Sequence, residues 1–146
     1  MRKMVVTLFA VLALCQAGAA DLPWLTDLAK AEAKAKAENK LVMMDFTGSD
    51  WCPWCIKLDK EVFSTPEFVK YAEKNLVPML VDFPRKKQQS AELKRANQQL
   101  EKKYKIEGYP TVIVLNKDGT KVGELGYQPG GPKRFIAQLE KLRSKS

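Results

Sequence analysis

The stretch SDWCPWC, from Ser49 to Cys55, places two cysteines three positions apart, and it decides how the rest of the chain is interpreted. A pair at this spacing can be a structural disulfide, half of a zinc site or a reactive dithiol. The 146 residues contain 3 cysteines and no histidine. The missing histidine excludes Ser-His-Asp and Cys-His catalysis and removes the commonest metal ligand.

Two of the three interpretations suit the sequence poorly. A disulfide that closes so short a loop restrains the unfolded chain very little, so its entropic contribution to stability is small. A structural zinc site needs four ligands, and carboxylates or a second chain would have to supply those that are missing here. We therefore favour a redox-active pair.

The residues around the cysteines predict the start of a helix. Pro53 suits a first helical turn, and Ser49 or Asp50 can cap it. Cys52 would then lie at the exposed N-terminus of the helix, with Cys55 one turn further in on the same face. A helix N-terminus favours an anion and lowers the pKa of the Cys52 thiol. Cys52 would attack a substrate disulfide, and Cys55 would resolve the mixed disulfide.

The first 20 residues have the pattern of a secretory signal peptide. Arg2 and Lys3 precede an apolar run that ends at Leu14, and small residues lie before Asp21. An uncleaved anchor and lipid attachment at Cys15 are the alternatives. Cleavage would remove the third cysteine and leave the pair alone in an exported protein, which suits a redox function.

Apolar runs of strand length and helical spacings alternate along the remaining chain. The predicted order is α-β-α-β-α-β-β-α, an α/β domain with a mixed central sheet of about four strands and helices on both faces. Pro78 predicts that the second strand lies at a sheet edge or that its early part lies outside the ladder. We predict strands at 41–46, 76–83, 111–115 and 120–125, and helices at 22–38, from about 52, 64–74, 93–104 and 135–142.

The motif WCPWC after an apolar strand, together with GYPT at 108–111 before a second strand, resembles the thioredoxin family. The resemblance covers nearly all of 21–146 and implies a single domain with a thioredoxin-like fold. It also implies that Cys52 is the attacking cysteine and that Cys55 is the resolving one.

A substrate-binding surface around the pair follows from the same resemblance. Trp51 would pack beside the cysteines, and Pro110 would be a cis-proline that faces them. The backbone of Tyr109 would pair with an extended substrate, as in strand addition. Pro53 and Trp54 lie between the cysteines, and we expect Trp54 to be exposed and to contact the substrate.

Asp45 is a partial match to the buried acid that thioredoxins carry on the strand before the motif, but it lies one residue further from the cysteines. The resemblance implies that it accepts the proton of Cys55, and burial would raise its pKa towards a useful range. The alternative is an aspartate that fixes the following turn through hydrogen bonds to backbone amides. Thioredoxins place a lysine near this acid, and Pro78 lies at the position that matches it.

We expect an exported thiol-disulfide oxidoreductase, periplasmic or secreted, that reduces or isomerises disulfides of other proteins. It would be a monomer, with no metal and no cofactor beyond the Cys52–Cys55 couple, which an unidentified thiol donor would reset. Trp54 cannot supply the positive charge that histidine gives the thiolate of strong periplasmic oxidases, and an ionised Asp50 would oppose that thiolate. We therefore expect a reducing potential of about −270 mV. The alternative function is a non-catalytic binding or chaperone module on the same scaffold.

The segment from Arg85 to Lys105 is rich in basic residues, and the chain carries a formal net charge of +8. Such a segment is commonly a solvated helix face. The second interpretation is electrostatic contact with acidic partners or with an anionic membrane. Nucleic acid is a poor candidate, because no recognisable binding motif accompanies the charge.

Overall fold

The structure is a computed structural model that describes residues 21–146, so the predicted leader at 1–20 lies outside the described residues. Its four strands are β1 (Leu41–Thr47), β2 (Leu76–Asp82), β3 (Thr111–Leu115) and β4 (Lys121–Leu125). They form one mixed sheet in the spatial order β2-β1-β3-β4. β1 is parallel to β2 and antiparallel to β3, and β4 is antiparallel to β3. The mixed four-stranded sheet expected from the sequence is confirmed.

Helices cover both faces of this sheet. In the described part of the chain they are α1 (Leu28–Glu38), α2 (Pro53–Leu58), α3 (Pro66–Asn75), α4 (Ala91–Tyr104) and α5 (Gly131–Arg143), and α2 continues as a π-helical turn over Asp59–Phe63. α1 and α4 pack on one face of the sheet, and α2, α3 and α5 pack on the other. None of these helices is long and apolar enough to cross a membrane. The α/β architecture predicted from the sequence is confirmed.

The central strand β1 is buried along its whole length, because it has a neighbouring strand on each side and helices on each face. Its side chains alternate between the two cores. Met43 packs in the core below α3 and α5, whereas Met44 and Phe46 pack in the opposite core. Asp45 therefore lies on the same face as Met43, which is the face that α2 covers.

The prediction of a first helix from residue 22 is wrong at its start. Leu25 forms a parallel bridge with the outer edge of β2. Its N–H donates to the Pro78 carbonyl at 3.0 Å, and its carbonyl accepts from the Leu80 N–H at 2.8 Å. Backbone groups used in this bridge cannot enter a helix, so the helix starts only after Asp27, whose side chain caps it.

β2 is an edge strand of the four-stranded sheet, as Pro78 predicts. Pro78 nevertheless lies within the ladder, opposite Met43. Of the two alternatives for this strand, the edge position is therefore the correct one.

Candidate active site

The helix that carries the cysteines begins at the pair itself. Cys52 is the N-cap residue of α2, and Pro53 is the first residue of the helix. The Cys52 sulfur accepts a hydrogen bond from the Cys55 backbone N–H, with 3.3 Å between N and Sγ. The prediction that Ser49 or Asp50 caps this helix is wrong, because both side chains bind other parts of the chain.

Cys52 and Cys55 form a disulfide, with 2.29 Å between the sulfurs and 5.2 Å between the Cα atoms. Each residue is only 4% exposed, so the expectation of an exposed Cys52 is wrong for the oxidised protein. The Tyr109 carbonyl oxygen lies 3.7 Å from the Cys52 sulfur, and the Tyr109–Pro110 peptide bond is cis. The segment before β3 thus lies against the pair. Position at the helix N-terminus, rather than exposure, distinguishes the two cysteines.

Trp51 packs beside the pair and is held from several sides. Its indole N–H donates to the Phe83 carbonyl at 2.8 Å, and the Arg85 guanidinium lies 3.7 Å from the ring centroid. The ring of Tyr109 meets it edge to face, with 6.1 Å between centroids. Gly48 lies directly against the indole, because a Cβ atom there would be 2.5 Å from Cε2. A larger residue at Gly48 would displace Trp51.

Trp54 is 55% exposed, as the sequence predicts. Its ring lies 5.3 Å from the ring of Tyr127, and the Lys57 ammonium lies 5.4 Å from both ring centroids. Ile56, on the same helix, is 48% exposed. An apolar surface with a cation beside it therefore adjoins the disulfide.

Asp45 is buried, and its Oδ1 atom has no hydrogen-bond partner in the described part of the chain. Burial, and then the charges of Asp59 and Asp82, raise the pKa of Asp45 to about 8. A carboxyl group in this range exchanges its proton near neutral pH. The expected burial and the raised pKa are thus both present.

The turn after β1 does not use Asp45 as an acceptor. The Gly48 N–H points at the Cys55 sulfur, with 3.5 Å between N and Sγ. The Ser49 N–H donates to the Asp82 carboxylate at 3.0 Å. The structure therefore gives Asp45 no part in fixing this turn.

A cavity of about 230 Å³ reaches both Asp45 and Cys55, and Asp59 and Lys87 also line it. The register of β2 places Leu80, rather than Pro78, opposite Asp45. Lys87, in the loop after β2, is the cation that lines this cavity, and no basic residue on β2 does.

Asp50 holds the same loop. Its carboxylate accepts from the backbone N–H groups of Arg85, Lys86 and Lys87 at 2.9, 2.7 and 2.8 Å. These bonds, led by the one from the Arg85 amide, lower the pKa of Asp50 to about 2. Asp50 is therefore ionised, but three amides bind its charge. The electrostatic repulsion that we expected between Asp50 and a Cys52 thiolate is therefore weakened.

This arrangement of strand, cysteine pair and facing proline has counterparts among known proteins. A family model described as a thioredoxin-like domain matches residues 28–143. The chain belongs to the thioredoxin-like family. It is 34% identical over 122 residues to the disulfide bond reductase DsbH of Chlamydia pneumoniae, a match that covers 84% of this chain and 73% of that protein.

Solved structures agree with this assignment. A structure described as DsbH oxidoreductase is 30% identical and superimposes with a TM-score of 0.80, over 98% of this chain and 95% of that chain. The oxidised C-terminal domain of Neisseria meningitidis DsbD is 25% identical, with a TM-score of 0.56 over 77% of this chain and 90% of that chain. With its cysteine pair at disulfide distance, this thioredoxin-like protein is a thiol-disulfide oxidoreductase.

Three residues near the pair were not assigned to the site from the sequence. Asp59 lies one helical turn after Cys55, and this spacing could have pointed to it. Arg85 and Lys87 come from a distant loop that β2 brings beside the turn after β1. No local pattern in the sequence indicates that contact.

Proposed function

We propose that this thioredoxin-like protein reduces disulfides of exported proteins and that Cys52 is its attacking residue. The observation that carries the proposal is the position of Cys52 as the N-cap of α2, where the Cys55 N–H already donates to its sulfur. The same amide and the helix dipole stabilise a thiolate at that position. In the reduced protein, the pKa of Cys52 is then lower than that of an ordinary cysteine.

The reaction transfers two electrons in two exchange steps. The Cys52 thiolate attacks one sulfur of the client disulfide, and the other client sulfur leaves as a thiolate. Cys55 then loses its proton and attacks the Cys52 sulfur, which releases the second client sulfur as a thiolate. The client is reduced, and the protein is left with the Cys52–Cys55 disulfide. A thiol donor returns two electrons to that disulfide, so the proposal needs no cofactor.

Asp45 is proposed as the base that receives the Cys55 proton. Both groups reach the same cavity of about 230 Å³, which has room for bridging water. The pKa of Asp45, raised to about 8 by burial, lies close to that of a cysteine thiol, so proton transfer between them costs little free energy. Asp45 otherwise has no partner for its Oδ1 atom among the described residues.

The proposed substrate surface surrounds the Cys52 end of the disulfide. The backbone of Tyr109, next to Pro110, would pair with an extended client segment. Trp51 and Pro53 would contact the client on either side of Cys52. Trp54, which is 55% exposed, would provide an apolar contact for the client.

We propose the reducing direction because no histidine lies between the cysteines. A tryptophan at position 54 cannot place a positive charge beside the thiolate, and such a charge would stabilise the dithiol and make the couple more oxidising. Export to the periplasm or beyond and a monomeric state complete the proposal. Export is supported by the leader pattern at 1–20.

Trapping tests this function directly. A Cys55→Ser variant keeps the attacking thiol but cannot resolve the mixed disulfide, so it should accumulate disulfide-linked complexes with oxidised client proteins. The matched control is Cys52→Ser, which should form none. The wild-type protein should also catalyse the reduction of insulin by a small dithiol.

The alternative, a binding or chaperone module, predicts a different result. Client proteins would then bind both serine variants equally and without a covalent bond, and insulin reduction would proceed at the uncatalysed rate. Either finding would rule out the reductase function.

A further inference from the structure

A second concave surface is formed by the loop after β2, to which Asp50 and Trp51 are bound. It has a volume of about 350 Å³ and is lined by residues 83–89 and Lys94. Four of its side chains are cations, and none is a carboxylate. We call this surface the basic pocket, and its cations are Arg85, Lys86, Lys87 and Lys94.

The cations of the basic pocket form no ion pairs within residues 21–146, although the charge of Lys87 helps to lower the pKa of Asp50. All four residues are exposed. Within residues 21–146, none of them has a carboxylate oxygen within 4.0 Å, although other basic residues, such as Lys40 and Arg143, do form ion pairs. The Lys87 ammonium binds only a neutral group, the Ser49 hydroxyl, at 3.1 Å. The acid at the edge of the pocket, Asp50, is already bound by three backbone amides.

The basic pocket is fixed to the segment that carries the reactive cysteine. Asp50 and Trp51 immediately precede Cys52. Asp50 binds the backbone of the loop, and the Arg85 guanidinium lies 3.7 Å from the centroid of Trp51. A ligand held in this pocket would therefore be bound to the loop that contacts the two residues preceding the attacking cysteine.

We propose that the basic pocket binds an acidic segment of the redox partner, adjacent to the cysteine that exchanges with Cys52. The inference rests on the proposed function, because it describes how that reaction selects its partner. Carboxylates of the partner complement the unpaired cations, and the amide groups of Gln88 and Gln89 lie in the same lining. Attraction of this kind raises the rate of encounter and fixes orientation.

A protein segment fits this surface better than a lipid bilayer does. The cations line a concavity rather than a protruding face, and a segment of chain can enter it. A bilayer on this side would lie over Trp51 and so obstruct the approach of a client disulfide to Cys52.

Two matched peptides test the proposal. The two peptides have the same sequence and one disulfide each, and they differ at three positions beside the cysteine that exchanges with Cys52. The acidic peptide has glutamate at these positions, and the glutamine peptide has glutamine. The reduced protein should react with the acidic peptide about 10-fold faster at low salt, at the low end of electrostatic steering. At 1 M salt, where the Debye length is about 3 Å, the two rates should converge.

The double variant Lys86→Gln/Lys94→Gln removes two cations whose side chains touch neither cysteine. It should lose most of the preference for the acidic peptide while reducing the glutamine peptide at the wild-type rate. The control is Lys36→Gln/Lys117→Gln, which makes the same charge change away from the pocket and should keep the preference.

Two outcomes overturn the docking proposal while leaving the reductase function intact. One is equal reduction of both peptides by the wild-type protein. The other is binding to vesicles that contain phosphatidylglycerol, lost in the Lys86→Gln/Lys94→Gln variant, without any preference for the acidic peptide. Failure to reduce either peptide would instead contradict the proposed function itself.

Discussion

At the scale of single residues, the two groups that matter most are Cys52 and Asp45, and their surroundings differ. The Cys52 sulfur accepts from the Cys55 amide at the start of α2, and we propose that this amide stabilises the Cys52 thiolate in the reduced protein. Asp45 is held in its neutral form, because burial and the charges of Asp59 and Asp82 raise its pKa to about 8. In the proposed mechanism, Cys52 attacks the client disulfide and Asp45 exchanges a proton near neutral pH.

The first prediction concerns the proton of Cys55. If Asp45 receives it, the rate of resolution should rise with pH as the carboxyl group ionises, with a midpoint near 8. Asp45→Asn should slow resolution by about 10²-fold, at the low end of general-base effects, and should lose this pH dependence. The measurement is the release of client from a preformed mixed disulfide with Cys52. An unchanged pH profile in the variant would exclude the proton-accepting role.

The second prediction concerns stability. Because the pKa of Asp45 in the folded protein, about 8, lies above the ordinary value of 3.8, the folded state keeps a proton that the unfolded chain releases. The stabilisation is complete below about pH 4 and declines by at most about 1.4 kcal/mol per pH unit until about pH 8. Urea unfolding of the oxidised protein should show this decline, and Asp45→Asn should lack it. Parallel stability curves would mean that Asp45 is not buried in its neutral form.

At the scale of elements, the beginning of α2 and the loop after β2 form one structural unit. Asp50 joins them by accepting from the backbone amides of Arg85, Lys86 and Lys87. Trp51 joins them again through its bond to the Phe83 carbonyl. The basic pocket thus keeps its position relative to the cysteines through contacts of two adjacent residues.

The third prediction follows from these contacts. Asp50→Ala should leave the fold intact but release the loop, because three amides lose their acceptor. Hydrogen exchange should show the amides of 85–87 exchanging at least about 10-fold faster, as expected for local opening. Asp118→Ala, a change in the exposed β3–β4 turn, is the matched control. Unchanged exchange at 85–87 would show that Asp50 does not anchor the loop.

Elements with a local signal were predicted well, and those fixed by distant contacts were not. The strands predicted at 41–46 and 111–115, which correspond to β1 and β3, were recognisable from apolar runs of strand length. The start of α1 was misplaced because Leu25 pairs with β2, a contact that no local pattern shows. The N-cap of α2 was misassigned because the Asp50 side chain instead accepts from backbone amides of the distant loop at 85–87.

At the scale of the whole molecule, the order of the elements was enough to predict a mixed sheet with helices on both faces. The family resemblance, rather than the order of the elements, predicted that Trp51 and the segment of the cis-proline Pro110 lie beside the pair. The burial of the cysteine pair was not predicted. It arises because the segment before β3 covers Cys52 in the oxidised protein. The presence of Lys87 in the cavity of Asp45 was also unpredictable, because only the tertiary structure brings the loop after β2 to that cavity.

The fourth prediction concerns the reduction potential of the Cys52–Cys55 couple. Equilibration with glutathione should give a potential nearer that of thioredoxin, about −270 mV, than that of the strong oxidases, about −120 mV. A value above roughly −150 mV would make the protein an oxidant and contradict the proposed direction. A Trp54→His variant should have a higher potential than the wild-type protein, because it introduces the missing charge.

The reactivity of Cys52 is the claim on which all of the chemistry depends. It is tested by the pH dependence of alkylation of the reduced Cys55→Ala variant, in which Cys52 is the sole cysteine of residues 21–146. The structure predicts rapid alkylation with a midpoint at least about one pH unit below 8.5, the value of a free cysteine. A midpoint at or above 8.5, or a thiol that reacts only after unfolding, would contradict the account.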